Sequence, residues 1–275
     1  MDWELPDIQA LASVVGHIGK PTLPGALDDL LAGSVAFDLS VIFGFPFDAK
    51  PIILHDNQYR HSVTAVALEN YLQGTYLFDP FYTACAENHA SGLWRMSELA
   101  PDAFYDSAFY SASDVHPCIS MQVGSIVEEI GFLVPLEGEV NAIYSLMRLH
   151  GDKFSPQEMA ALTRLEPFVR ETIRTHWRDV RIINRQMRFD DLMETAFASF
   201  CQEVLTWQQR RIVQLILRGH SNYAIGQILS VTEGTIKLHR QNIYRRLNIS
   251  SQRELFALFV EQLFPVRQSE ETAKR

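Results

Sequence analysis

The chain has 275 residues, 47% of them hydrophobic and 21% charged, a composition that supports folded cores and excludes a largely disordered polymer. Its net charge of −9 at pH 7 excludes a protein that binds polyphosphate along its whole length, and the length suits two domains at about 150 residues each.

The first ten residues, MDWELPDIQA, carry acids where a secretory signal carries bases, and no apolar core follows them. No uninterrupted apolar run reaches the ~18 residues of a membrane span. A soluble, cytoplasmic protein with no membrane partner is therefore expected. The cysteines, Cys85, Cys118 and Cys201, show no close pairing of the kind that builds zinc or redox sites, so packing is their expected role and neither metal nor cofactor is expected.

In chain order, Ile8–Ile18 and Leu23–Leu31 read as helices. Ser34–Phe45 and Pro51–Asp56 read as strands, rich in Val, Ile and Phe and bounded by Gly and Pro. Val63–Leu72 reads as a helix, Asp79-Pro80-Phe81-Tyr82 follows, and Phe104–Pro117 is irregular. Ile126–Gly151 reads as a hairpin turning at Glu137-Gly138-Glu139. Ser155 caps a helix that opens on Pro156 and is expected to run to about Thr195, as a signalling or dimer helix between domains. This mixture of helices and antiparallel strands resembles GAF or PAS sensor modules.

A small-molecule pocket needs many apolar and aromatic groups and few polar ones. The region offers Tyr71, Tyr76, Asp79, Phe81, Tyr82, Trp94 and Phe109 as candidate ligand contacts, although a core role suits each of them as well. Other readings are weaker. The acidic pair of a phosphorylation receiver would have to be Asp28-Asp29, which lies in a helical pattern before the first strand. His55, Asp56, His61, Asp79, His116 and Cys118 are joined by no nucleophile elbow, phosphate loop or metal spacing, so no enzyme is expected.

The C-terminal region reverses the charge. From Leu205 to Leu263 eight basic residues face three acids, so the net acidity lies elsewhere. Thr206 caps a helix carrying Ile212, Val213, Leu215, Ile216 and Leu217, and Gly219 closes it. Ser221-Asn222 opens a short helix, Ser230-Val231 makes a turn, and Thr232 caps a helix over about Glu233–Leu247. Ile236, Ile243 and Leu247 form the back of that helix, while Lys237, Arg240, Gln241 and Arg245 lie mostly off it. A fourth helix, Gln252–Phe264, carries more apolar surface than so small a domain is expected to bury, which suggests a dimer seam or a contact with the N-terminal domain.

Leu205-Thr206, Gly219, Ser221-Asn222, Ile225, Leu229, Val231, Thr235-Ile236-Lys237, His239, Ile243-Tyr244 and Leu247 resemble, without a gap, the LuxR/GerE family of helix-turn-helix domains. Gln208-Gln209 replace the family's usual Arg-Glu, Tyr223 and Ala224 replace a basic and an acidic residue, and Gly226 replaces an alanine. The resemblance implies double-stranded DNA as partner. It places Lys237, Leu238 and Gln241 in the major groove and Thr232, Thr235, His239, Arg240, Arg245 and Arg246 nearer the phosphates. It also implies a homodimer, with contact to RNA polymerase possible, and an N-terminal ligand-binding domain. Tyr71, Tyr76, Asp79-Pro80 and Trp94 resemble the aromatic and Asp-Pro features of acyl-homoserine-lactone-binding domains, but not their spacing, so that ligand is not assigned.

The expected fold class is an α/β N-terminal sensor domain, an antiparallel sheet flanked by helices, joined by a long helix to an all-α four-helix helix-turn-helix domain. The expected boundaries are 1–190 for the sensor, 191–203 for a linker, 204–265 for the DNA-binding domain and 266–275 for a tail. The expected function is a transcription regulator whose sensor binds a small molecule and controls dimeric promoter binding. The alternative is a regulator whose N-terminal domain is a protein-interaction module.

Overall fold

The computed structural model describes residues 8–47, 50–57, 71–72, 74–106, 126–178 and 200–263. The chain divides into two compact units. One comprises Met1–Leu99 and Ser113–Gln186, the other Ala100–Ala112 and Met187–Arg275.

The first unit is built on a five-stranded antiparallel sheet of strand order β2-β1-β5-β4-β3. Its strands are β1 (Leu39–Pro46), β2 (Ile52–Asn57), β3 (Gly92–Arg95), β4 (Glu128–Leu136) and β5 (Val140–Arg148). The β4–β5 hairpin turns where the sequence predicts, with Gly138 and Glu139 both at positive φ. Side chains alternate across a sheet, and both faces here are apolar. Ile42, Phe132 and Tyr144 share one face. It packs against α1 (Ile8–His17), α2 (Leu23–Ala32) and α5 (Pro156–His176), through Val14, Leu27, Leu31, Leu162, Val169 and Ile173. Phe43, Ile143, Ser145 and Gly131 share the other. Two short helices, α3 (Pro80–Ala86) and α4 (Met96–Leu99), flank β3 in sequence.

Helix α5 opens on a complete capping box, in which Ser155 accepts from the Glu158 amide and Glu158 accepts from the Ser155 amide. It runs through Pro167 and ends at His176, with Trp177 as its C-cap. The helix expected to reach Thr195 therefore stops well short of it, and residues from 179 to 199 lie outside the described set. Residues 63–70 of the expected helix Val63–Leu72 lie outside it too, while Tyr71 and Leu72 are helical.

Asp28 lies in a helix, as its sequence pattern predicts. It is buried on α2, where it accepts from the Tyr144 hydroxyl at 2.5 Å and pairs with His55 Nε2 at 3.3 Å, tying α2 to β5 and β2. Burial, with the Asp28 carboxylate beside it, pushes the Tyr144 hydroxyl pKa well up.

The second unit is helical: α6 (Trp207–Leu217), α7 (Asn222–Leu229), α8 (Glu233–Leu247) and α9 (Gln252–Leu263), with the segment Pro101–Asp106 packed among them. Ile212, Val213, Ile216, Ile225, Ile236 and Ile243 are its buried centre. Leu255, Phe256 and Phe259 of α9 are buried as well, Phe259 against Phe200 at 5.2 Å. Much of the apolar surface that the sequence suggested as a dimer seam is thus spent inside the unit. Leu258 is half-buried, and the side chain of Leu263 and all of Phe264 fall outside the described residues.

Candidate functional site

Three polar caps and two left-handed stops shape the second unit. Thr206, Ser221 and Thr232 each accept from the backbone N–H of the third residue into the helix they precede. Ser230 (φ 55°) and Asn248 (φ 55°) end α7 and α8 in the left-handed region. Gly226 has a steric reason: a Cβ there would lie 2.8 Å from the Val231 carbonyl oxygen, so glycine lets the α7–α8 turn close onto the helix. Gln209 replaces the lost family carboxylate with an amide. Its Oε1 accepts from the Thr206 amide at 3.1 Å and from Arg246 at 3.0 Å.

Helix α8 buries Ile236 and Ile243 and exposes Lys237, Leu238 and Gln241. Leu238 is 58% exposed, an isolated apolar side chain on a polar face. Lys237 pairs with Glu233 one turn earlier at 2.7 Å, and both side chains are open to water. Such a pair is worth only about 0.3–0.5 kcal/mol, so it gives way easily to a stronger acceptor.

The remaining basic residues of α8 differ in their commitments. Arg240 donates to the Tyr244 hydroxyl at 2.9 Å and to Gln252 Oε1 at 3.1 Å, so it braces α8 against its own next turn and against α9. Arg246 donates to Val204 O as well as to Gln209. Arg245 is exposed and donates to Asn242 on the same helix. Thr232 and Thr235 lie at the exposed start of α8, their hydroxyls 2.9 Å apart. His239 is half-buried, and its Nδ1 is buried without a hydrogen-bond partner among the described residues. At the start of α7, Tyr223 stands 63% exposed where the family carries a charge.

In the first unit the second sheet face carries an aromatic cluster. Phe43 meets Tyr71 at 5.0 Å, Phe45 meets Tyr82 at 5.6 Å, and Tyr76 meets Tyr82 edge-on at 5.0 Å. Asp79 anchors it: Oδ1 accepts from the Phe81 amide at 2.8 Å and so caps α3, while Oδ2 accepts from the Tyr71 hydroxyl at 2.6 Å. Phe81 runs under β4, where a Cβ on Gly131 would lie 2.8 Å from its ring. Burial, and to a lesser degree Tyr82, raises the Tyr76 hydroxyl pKa far above its ordinary value.

Of the seven predicted pocket residues, Tyr71, Tyr76, Asp79, Phe81 and Tyr82 therefore come together. Trp94 pairs in register with Gly131 at the sheet edge and donates to Ala90 O at 2.9 Å. Phe109 lies outside the described residues. Phe43 and Phe45 were not singled out from the sequence, because a Phe at alternate strand positions carries no sign of which face it takes. Among the described residues there is no cluster of metal-ligating side chains, and no helix is long and apolar enough to cross a membrane.

Residues 203–259 match the family described as GerE, bacterial regulatory proteins, luxR family. The second unit carries a LuxR-type helix-turn-helix domain. A protein of Aeromonas salmonicida, named as an HTH-type transcriptional regulator in the exeN 3′ region, is 29% identical over 198 residues, covering 67% of this chain and 94% of its own length. YhjB of Escherichia coli K12, also named as an HTH-type regulator, is 38% identical over 47 residues, covering 17% of this chain and 24% of its own. The crystal structure of the VqsR LBD domain from Pseudomonas aeruginosa has a TM-score of 0.51 at 21% identity, covering 62% of this chain and 94% of that one, a likeness of fold.

Proposed function

We propose that this chain is a LuxR-type regulator that reads duplex DNA with the exposed face of α8 and answers to a small, largely apolar molecule held on the aromatic face of its sheet. Lys237 donates to guanine O6/N7, Gln241 pairs with adenine N6/N7, and Leu238 meets a thymine methyl. Thr232, Thr235 and Arg245 serve the flanking phosphates; His239, Arg240 and Arg246 lie along the same edge, the two arginines chiefly holding α8 in place. Two copies engage half-sites about 34–36 Å apart. The protein works by binding rather than catalysis, in the cytoplasm, and RNA polymerase is its natural second partner.

The observation that carries the sensing half is the pairing of Tyr71 with Asp79 amid Phe43, Tyr76, Phe81 and Tyr82. A buried carboxylate inside an aromatic wall fixes the orientation of a ligand that brings an N–H or O–H, while the rings supply the apolar contact. The VqsR domain of similar fold is named as an LBD, which supports the reading.

A thermal-shift screen of the full chain against amphipathic metabolites tests it. A ligand at 100 times its dissociation constant adds about 2.7 kcal/mol to the stability of what it binds. That gain should shrink in Tyr71→Ala. A ligand whose stabilisation survives Tyr71→Ala and Tyr82→Ala unchanged binds elsewhere and contradicts the assignment.

A further inference from the structure

The segment Pro101–Asp106 lies in sequence between α4 and β4, yet it folds with the DNA-binding unit. Three independent contacts hold it there. Asp102 accepts from the Ser221 amide at 3.0 Å through Oδ1 and from the Ser221 hydroxyl at 2.5 Å through Oδ2. The Ala103 amide donates to Gly219 O at 3.1 Å. Phe104 is buried against Gly219, whose φ is 89° and whose absent Cβ would lie 2.9 Å from the Phe104 Cα.

Ser221 is the N-cap of α7, the first helix of the helix-turn-helix pair. In such motifs the first helix crosses the DNA backbone, and free N–H groups at a helix N-terminus hold phosphate oxygens. Asp102 offers those donors a carboxylate in the phosphate's place. The exchange suits a carboxylate with this geometry: burial raises its pKa, but the hydroxyl and amide of Ser221, with His220 nearby, outweigh that and hold it below the ordinary value, charged and bonded.

We propose that Pro101–Asp106 is an autoinhibitory strap, with Asp102 occupying a DNA-phosphate position on the DNA-binding unit, so that DNA must displace the strap to bind. The proposal rests on DNA binding by this unit, and it adds the device that restrains that binding.

The test uses the full chain and a fluorescein-labelled duplex of about 30 base pairs of random sequence at about 50 mM salt, where phosphate contacts dominate. Asp102→Ala and Asp102→Asn should each bind about tenfold more tightly than the natural chain, the cost of one charge-assisted pair of hydrogen bonds. Asp106→Ala removes the same charge from the same exposed strap without freeing Ser221, and it should gain much less. In the natural chain, adding the duplex should speed hydrogen exchange at the Ala103 amide, whose bond to Gly219 breaks on displacement. Equal gains in the Asp102 and Asp106 variants would reduce the effect to general charge and overturn the strap. An Ala103 amide that exchanges no faster with DNA bound would overturn it as well. Failure of every variant and of the natural chain to bind the duplex would remove the DNA reading itself, and the strap with it.

Discussion

Gln209 and Arg246 are joined by a hydrogen bond of 3.0 Å, and the same Gln209 oxygen accepts from the Thr206 amide at 3.1 Å. One buried amide oxygen thus closes the first turn of α6 and holds the far end of α8. Gln209→Ala leaves the Thr206 amide and a guanidinium N–H without that acceptor, and it should lower stability by about 1–2 kcal/mol in urea unfolding. Gln209→Glu restores a charge-assisted bond and should be neutral or stabilising by about 0.5–1 kcal/mol. A glutamate that destabilises as much as the alanine would show that the site cannot take a charge.

Gly226 sets two effects against each other. Alanine is better than glycine inside a helix by about 1 kcal/mol. Here, however, the added Cβ would meet the Val231 carbonyl oxygen at 2.8 Å, and that neighbour is backbone. Overpacking of this kind costs about 1–3 kcal/mol. Gly226→Ala should therefore lower the unfolding midpoint of the DNA-binding unit. A higher midpoint would mean that the α7–α8 turn relaxes freely.

In the first unit, Tyr144→Phe removes the hydroxyl that donates to the buried Asp28 carboxylate at 2.5 Å. The expected loss is about 1–3 kcal/mol. The measurement is urea unfolding at pH 7, and a loss within about 0.3 kcal/mol of zero would show that the pair is not needed to seat α2 on the sheet.

Glu158 predicts a pH dependence. Hydrogen bonds from Arg148, then from the Ser155 amide, lower its pKa from 4.5 to about 2. A depressed carboxylate contributes stability above its unfolded value and loses it as pH falls through the folded one. The contribution is therefore intact above pH 4.5 and drains away toward pH 2. Arg148 is nearly buried while Glu158 is partly exposed, so solvent screening holds the expected effect of Glu158→Gln to about 1 kcal/mol. The natural chain should lose more stability than the variant between pH 5 and pH 2.5, and identical slopes would contradict the ion pair.

The legible parts of this chain are those whose physics is local. Thr206, Ser221, Ser155 and Thr232 are caps because an oxygen on Cβ reaches an N–H three residues on, and each does so here. The hairpin at Gly138 and the buried back of α8 follow from turn chemistry and helical period. The order of the strands did not follow, since β1 pairs with β5 across some hundred residues and nothing local encodes that pairing. The end of α5 at His176 was also hidden, because the polar, helix-compatible residues after Trp177 continue the same composition. In the aromatic cluster, Tyr71 and Asp79 were legible as residue types. Their hydrogen bond was not, and neither was the Asp102–Ser221 contact, which joins residues 119 apart.

The central claim is that Lys237 and Gln241 read bases. Selection from a random duplex library by the natural chain, Lys237→Ala and Gln241→Ala measures it directly. Each variant should relax the preference at a different base pair by about 1–3 kcal/mol, whereas Arg245→Ala should weaken all sequences alike and lower the salt slope by about 1. Recovery of one unchanged sequence motif by the natural chain and by both recognition-helix variants would contradict the account.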